Sequence, residues 1–438
     1  MRRPCPPSPA APPRSSATSS PPAAWACRAA SNRRRSHERG GPMAKILEGV
    51  RVLDFSRVAA APLCTLLLAD FGAEVIKVEA PGVGDDSRTL PPLLGKWPYH
   101  FTQWNRGKKS VTLDLRKPEA RKIALDIAKK SDVIVENFKP GMMKAWGLSY
   151  DDVKAVNPRA VYASLSGFGQ TGPYSPMMAY DFAVVAMGGL TGMNGEPDKP
   201  PMPLPFSVAD FHSPLYLTIA ILAAIMQQRQ TGQGQWIDIS MHDTVWYLVG
   251  SFAIPKYFAE NVVIERTGGE NEMAGRGVFK AKDDYIYIGC VSNRQWQTML
   301  KLVGGDELAN DPDWAGRKGR RKHRQDADAL IDVWLSDKTA EEAMQILLKN
   351  RVASGIVKSV DQLLHDTHIA ARGMIKEVDQ PGVGKLKVIG SPFQHMSGMQ
   401  YDFNKPAPEL GQHNRDVYAS ILGFDDAKLA QLREQGVI

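Results

Sequence analysis

The sequence predicts an α/β protein with a doubly wound, Rossmann-like parallel sheet in its large domain and a smaller α+β domain beside it. Three observations carry this. Between residues 50 and 166, short apolar runs alternate regularly with helical patterns. The crossover of the first βαβ unit, residues 62–71, is apolar, which suggests parallel strands covered on both faces. From about Met241 the character shifts to aromatic-rich and glycine-rich segments, a sign that a second structural unit begins.

The elements follow in order. Residues 50–55 read as a strand, 62–71 as a helix and 74–79 as a second strand, one βαβ unit with an apolar crossover. The alternation continues through 110–115 (extended), 119–130 (helix), 132–138 (strand), 150–156 (helix) and 160–166 (strand). Next comes Gly167-Phe-Gly169-Gln-Thr-Gly172, a literal match to the dinucleotide fingerprint. A working fingerprint opens a helix, but Pro173 and Pro176 stand in the way here. Neither Asp181 nor Glu196 ends an evident second strand at the ribose position. A nicotinamide-dependent dehydrogenase is therefore disfavoured.

Composition excludes several classes. The chain has 438 residues, enough for more than one domain, with 43% hydrophobic and 23% charged residues. Its net charge of +7 points superficially to nucleic acid. Residues 1–42, however, hold eight Arg, no Lys and a single acid, Glu38, so the whole excess lies there. The body from Met43 is neutral and offers no basic footprint for nucleic acid. The leader is rich in Pro, Ser, Ala and Arg and reads as disordered. It is either a non-functional upstream extension, with Met43 as the true start, or a mitochondrial transit peptide, although nine prolines oppose the amphipathic helix such a peptide needs. Cys5, Cys27, Cys64 and Cys290 have neither metal-ligand spacing nor the look of a disulfide framework. A reducing compartment is expected: the cytoplasm, or the mitochondrial matrix if the leader is a transit peptide. The apolar run 215–226 is shorter than a bilayer requires, so no transmembrane segment is predicted.

That run matters for another reason. It is too long for a buried strand and reads as a buried helix, with Ser213 as N-cap and Pro214 at the first helical position. Asp210 then lies just ahead of a helix N-terminus, where free amides and the helix dipole favour an ionised carboxylate. Such an Asp is either a turn or capping residue or a nucleophile.

In the second half, 235–240 reads as a strand and 247–258 is aromatic-rich. The stretch 267–277 is a flexible glycine loop containing Gly268, Gly269 and Gly275. Residues 285–291 read as a strand, 295–303 as a helix and 326–350 as helices. The basic run 317–324 has no interleaved aromatics and reads as a solvated face or loop, not as a binding patch. Strand signals return at 376–378 and 386–388, and 425–436 closes the chain as a helix. The expected organisation is a leader (1–42), the first part of the large domain (43–240), a linker and small domain (241–365), and a C-terminal segment (366–438).

Several stretches together resemble the family III CoA-transferases, also called the carnitine and bile-acid (CaiB/BaiF) CoA-transferase family. They are Leu53-Asp-Phe-Ser-Arg-Val58 with Ala61-Pro62, and Phe71-Gly-Ala-Glu-Val-Ile-Lys-Val-Glu79. Gly84-Asp85 with Arg88, Asn105-Arg-Gly-Lys-Lys-Ser-Val-Thr-Leu-Asp-Leu115 and Val135-Glu-Asn-Phe-Lys-Pro-Gly141 continue the series. Ser166-Gly-Phe-Gly-Gln-Thr-Gly-Pro-Tyr174, Tyr180-Asp181, Ala209-Asp210, Thr231-Gly-Gln-Gly-Gln and Ile237-Asp238 complete it. In this order and spacing the set is specific, and it accounts for the false fingerprint as a family loop.

The resemblance implies CoA-transferase activity, with acyl-CoA and a carboxylic acid as substrates and no permanently bound cofactor or metal. It implies that Asp210 attacks the donor thioester to give an acyl–aspartyl anhydride, which the CoA thiolate converts to an aspartyl-CoA thioester. Exchanging one thioester for another is nearly balanced in energy, so neither metal nor ATP is called for. What is needed is a carboxylate, donors for oxyanions and exclusion of water. Carried over by position, Val58, Ala60, Leu113, Arg116, Asn137 and Phe138 resemble the CoA-contacting residues, and Arg88, Arg106 and Lys108 are expected nearby, the last two as charge for the phosphates. Tyr180 and Asp181 are expected at the acyl end, and Gly268–Gly275 over the site. The resemblance also implies a large domain completed by the C-terminal segment and two subunits interlocked like links of a chain, with no membrane or nucleic-acid partner. Departures stand at Ala80 and Ala145, where several members have arginine, and at Met178, where some have lysine. The related α-methylacyl-CoA racemases place a histidine at the position of Tyr180, whose phenol is a poor base near neutrality. Racemase is therefore the alternative, followed by a non-catalytic CoA-binding paralogue. The acid pair is not specified by these residues.

Overall fold

A computed structural model describes residues 45–397, 402 and 404–438. The leader reading for 1–42 thus lies outside the described residues. Six parallel strands form the central sheet: β1 (Arg51–Asp54), β2 (Glu74–Glu79), β3 (Lys109–Thr112), β4 (Val133–Glu136), β5 (Val161–Ser166) and β6 (Trp236–Ser240). Their order across the sheet is β3-β2-β1-β4-β5-β6, so the winding reverses between β1 and β4. In open sheets of this kind that reversal opens a crevice at the carboxyl ends of the strands.

The interconnecting helices are α1 (Ala60–Asp70), α2 (Tyr99–Asn105), α3 (Pro118–Ala128), α4 (Tyr150–Val156), α5 (Asp181–Met187), α6 (Ala209–Thr231) and α7 (Met241–Glu260). Both faces of the sheet are covered. Val52, Val75, Val133, Val161 and Ala163 pack with Leu68 of α1, Leu217 and Ile221 of α6 and Val245 of α7. Leu53, Ile76, Ile134 and Tyr162 pack on the other face with Ile123 and Ile127 of α3. Val417, Tyr418 and Ile421, from the helix Asn414–Leu422, join that second core.

The C-terminal segment also guards the sheet edge. Edge strand β3 offers unpaired backbone groups that would otherwise template aggregation. Thr112 N–H donates to Asn414 Oδ1 (2.8 Å), and Tyr418 O–H donates to the Thr112 carbonyl (2.7 Å). The His413 amide donates to the Ser110 carbonyl (2.9 Å).

The helix expected to start at Pro214 starts five residues earlier. Val208 already has helical dihedrals and its carbonyl accepts the His212 amide at 2.9 Å, so Ser213 and Pro214 lie inside α6. Ser213 is not a cap; its hydroxyl is 2.8 Å from that of Thr244 on α7. Pro214 is accommodated one turn in, where its missing amide leaves only the Asp210 carbonyl without the usual i+4 donor. With 23 residues, α6 is long and apolar enough to cross a bilayer by length and composition, yet it packs against α1, α5, α7, β5 and β6 in the core.

The smaller α+β domain holds a three-stranded antiparallel sheet with Tyr285–Gly289 between Arg276–Lys280 and Ala353–Ile356. Helices Asn293–Asn310, Arg324–Leu335 and Ala340–Lys349 cover one face around Trp296, Met299, Ile331 and Leu347. The basic run, expected as a solvated face or loop, is the helix Gly316–Lys322 plus the start of the next. Its Arg320 is buried, donating to the carbonyls of Ala274 (2.7 Å) and Cys290 (2.6 Å). Arg321, Lys322 and Arg324 pair with Glu272, Asp313 and Glu270.

Candidate active site

At the winding reversal, the carboxyl ends of β1 to β4 surround a cleft of about 630 Å³. Phe55, Ser56 and Arg57 contribute from β1, Val78–Asp85 from the end of β2, Leu113–Lys117 from beyond β3, and Phe138 from beyond β4. A second hollow of about 230 Å³ shares Phe138 with it and is lined by Asn137, Lys139, Gly167, Met178 and Tyr180. Next in the chain to Tyr180 is Asp181, the first residue of α5, which accepts the amide of the nucleophile candidate Asp210 at 2.8 Å; neither carboxylate lines the two hollows.

This bond is a helix cap supplied from another helix. The carboxylate that satisfies the open N-terminus of α6 comes from 29 residues away, where no local capping pattern would reveal it. Asp181 is buried, and its other oxygen, Oδ1, has no hydrogen-bond partner among the described residues. Burial, with the Asp181 charge second, pushes the Asp210 carboxyl up to about 6. That reverses the expectation drawn from the helix dipole. A helix terminus contributes about 0.3–1 kcal/mol, less than burial and a neighbouring carboxylate cost together.

The turn after β1 is unusually constrained. Val58 has a positive φ of 64°, a strained conformation for a β-branched residue. Asn137 grips the preceding residue at both ends: its Oδ1 accepts the Arg57 amide at 2.8 Å and its Nδ2 donates to the Arg57 carbonyl at 2.9 Å. Ala60, two residues on, is buried as the first residue of α1. Leu113 and Phe138 line the cleft wall.

The cations expected around the phosphates separate into two groups. Arg116 is at the cleft mouth, its side chain exposed and paired with Asp114 at 2.8 Å. Arg106 is buried in a bidentate pair with Asp70 (2.6 and 2.8 Å), away from the cleft lining. Lys108 is buried too, its ammonium donating to Asp54 (3.2 Å), Thr65 (2.7 Å), Asn105 (2.9 Å) and the Pro62 carbonyl (2.9 Å). Burial lowers Lys108 to about 8 despite Asp54. Arg88 forks onto Glu79 at 2.7 and 2.8 Å and stacks over Phe101. These three hold the scaffold together. Two cleft cations were not anticipated, Arg57 and Lys117. Each adjoins a predicted contact, Val58 or Arg116, and that adjacency was the available signal. Of the departures noted in the sequence, Ala80 lines the cleft and Met178 the second hollow, while Ala145 lines neither.

The glycines also divide. Gly268 (φ 63°) and Gly269 (φ 89°) face Glu196 and Pro200–Pro203 across a hollow of about 570 Å³. Gly275 belongs to the small-domain core, where a Cβ would stand 3.1 Å from the Trp296 ring.

Comparison with known proteins decides the family. Residues 47–414 match CoA-transferase family III. The chain belongs to that family. It is 34% identical over 402 residues to the succinyl-CoA–D-citramalate CoA-transferase of Chloroflexus aurantiacus, covering 90% of this chain and 98% of that one. It is 32% identical over 401 residues to the human succinyl-CoA:glutarate CoA-transferase, covering 90% of each. The crystal structure of a CaiB/BaiF family protein from Brucella suis superposes with a TM-score of 0.75 at 32% identity, over 86% of this chain and 99% of that one. This family III CoA-transferase thus acts on acyl-CoA and a carboxylic acid, with CoA as substrate and not as a resident cofactor.

Proposed function

We propose that this enzyme moves CoA between two carboxylic acids by covalent catalysis on Asp210, with CoA lying along the two hollows on either side of Phe138. The observation that carries the proposal is the Asp181–Asp210 pair, with Asp181 next in the chain to Tyr180, which lines the smaller hollow. The adenosine and phosphates occupy the larger cleft beside Arg57, Arg116 and Lys117, and the pantetheine passes Phe138 and Tyr180. A carboxyl at about 6 is largely ionised at neutral pH yet poorly solvated, which suits a nucleophile. Its oxygen attacks the thioester carbon, the C–S bond breaks and CoA thiolate leaves an acyl–aspartyl anhydride. The thiolate then attacks the aspartyl carbonyl and the donor acid departs as its carboxylate. The acceptor carboxylate attacks the aspartyl thioester, expelling the thiolate and forming a second mixed anhydride; the thiolate then attacks the acceptor's carbonyl carbon, and Asp210 leaves as carboxylate. Water must be kept out of both anhydrides, a role we assign to the Gly268–Gly269 turn.

The names of the relatives make succinyl-CoA the first donor to test, with citramalate and glutarate as acceptors. We also infer a dimer. Helix α7 exposes Trp246, Tyr247, Phe252 and Phe258, and α6 exposes Phe211, Leu215 and Ile219 at i, i+4 and i+8, more apolar surface than a monomer ordinarily shows water. The decisive experiment mixes the protein with a panel of acyl-CoAs, quenches with hydroxylamine and maps peptides by mass spectrometry. Conversion of Asp210 to a hydroxamate with CoA release is expected. An unmodified Asp210 together with deuterium entering the α-carbon of a branched acyl-CoA would replace the transferase by a racemase.

A further inference from the structure

The strained Val58 turn stands on a buried charge cluster that substrate binding does not use directly. Lys77 of β2 is wholly buried; its ammonium lies 2.7 Å from Asp85 Oδ2 and 2.7 Å from the Ser56 carbonyl. Asp85 in turn accepts the Val58 amide at 3.0 Å, and also the Ser87 amide (2.8 Å) and hydroxyl (2.7 Å). Glu79 accepts the Asp85 amide at 3.0 Å, which fixes the Asp85 backbone as well. Lys77, Lys108 and Arg88 face Asp54, Glu79 and Asp85, so the cluster is charge-balanced. Burial opposes ionisation of Asp85, but the Lys77 ammonium and the Ser87 donors overcome it and hold the carboxyl at about 2.

A strained non-glycine residue persists only where its surroundings over-determine it. Here Lys77 fixes the Ser56 carbonyl, Asn137 both ends of Arg57, and Asp85 the Val58 amide. We propose that Asp85, clamped by Lys77, is a positioning residue that holds Val58 in its left-handed conformation and so sets the shape of the CoA cleft through the adjoining Ser56 and Arg57, which line it. The inference rests on the reading of that cleft as the CoA site. Asp85 itself lines the cleft edge, but its carboxylate is spent on protein donors.

The test is calorimetric CoA binding to folded variants, with hydroxylamine trapping at saturating acyl-CoA as a second readout. Asp85→Asn turns an amide group toward the Lys77 ammonium and breaks the clamp. We expect CoA affinity to fall about tenfold or more, while Asp210 is still acylated at saturation. Glycine adopts positive φ without strain, so adding Val58→Gly to D85N should restore most of the loss. Unchanged affinity in folded D85N, or a loss that V58G leaves in place, overturns the proposal. Should D85N not fold, Val58→Pro tests the same turn with the charges intact, because proline cannot reach a positive φ. It must weaken CoA binding about tenfold, and unaltered affinity overturns the proposal equally. Arg116→Ala with Lys117→Ala tests the underlying reading separately. If wild-type protein binds CoA and this pair binds it equally well, CoA lies elsewhere, and that reading fails whatever D85N does.

Discussion

Asp210 should be a residue that costs the protein stability, and Asp210→Asn tests this directly. Its carboxyl stands at about 6 against an ordinary 3.8. Each pH unit of that difference is worth about 1.4 kcal/mol. The sign follows from proton uptake. Between pH 4 and 6 the folded state keeps its proton and the unfolded chain has lost it, so stability falls as pH rises through that window and stays low above it. The ionised form is thus penalised by about 3 kcal/mol at pH 7.5, and discounting for partial solvent contact leaves about 1–3 kcal/mol. Asparagine is isosteric and uncharged, so D210N should be more stable than wild type by that amount at pH 7.5. At pH 5 the gain should shrink to about half. Urea melts of both proteins at the two pH values measure it, with thioester exchange assayed alongside. A gain that does not vary with pH would trace to packing or hydrogen bonding and not to the charge. A loss of stability at pH 7.5 would mean that the α6 terminus favours the anion after all, refuting the account of the site.

Three further outcomes are expected. Asp181→Asn removes the charge beside Asp210 while keeping an acceptor for its amide; the acid limb of the kcat profile should move to lower pH, and an unmoved limb would leave burial as the sole cause. Lys108→Met strands Asp54 in the core. It should destabilise by about 3–5 kcal/mol in denaturant melts, with little change in acyl-CoA KM for the protein that remains folded; a KM effect without a stability loss would restore Lys108 to the phosphate site. Light scattering should give twice the chain mass, and Phe252→Glu with Phe258→Glu should lower it, whereas a wild-type monomer would leave the exposed aromatics of α7 without an explanation.

The alternation from 50 to 166 revealed the parallel sheet because both faces of it are buried, and burial leaves a strong imprint on sequence. What sequence could not reveal was any feature in which the partner is distant. The α6 start was misplaced by five residues because Ser213-Pro214 is a locally convincing N-terminus, while the real cap, Asp181, arrives through the fold. Two of the expected phosphate cations, Arg106 and Lys108, stand in buried ion pairs for the same reason. Arg106, Lys108 and Arg116 are close in sequence and look alike there. Arg106 and Lys108, however, lie in the short link between α2 and β3 and Arg116 lies beyond β3, and only folding shows that Asp70 and Asp54 wait for the first two. The same rule bears on Asp210. Its dipole environment is local and legible, and it predicts a low pKa; burial and Asp181 are tertiary, and they win. Where a local and a tertiary term oppose each other at a carboxylate, the tertiary term has the larger magnitude in a site with little water, so chemistry-bearing positions are where local reading should fail first. Val58 makes the same point from the backbone side: nothing local permits a valine at positive φ, and three distant side chains impose it.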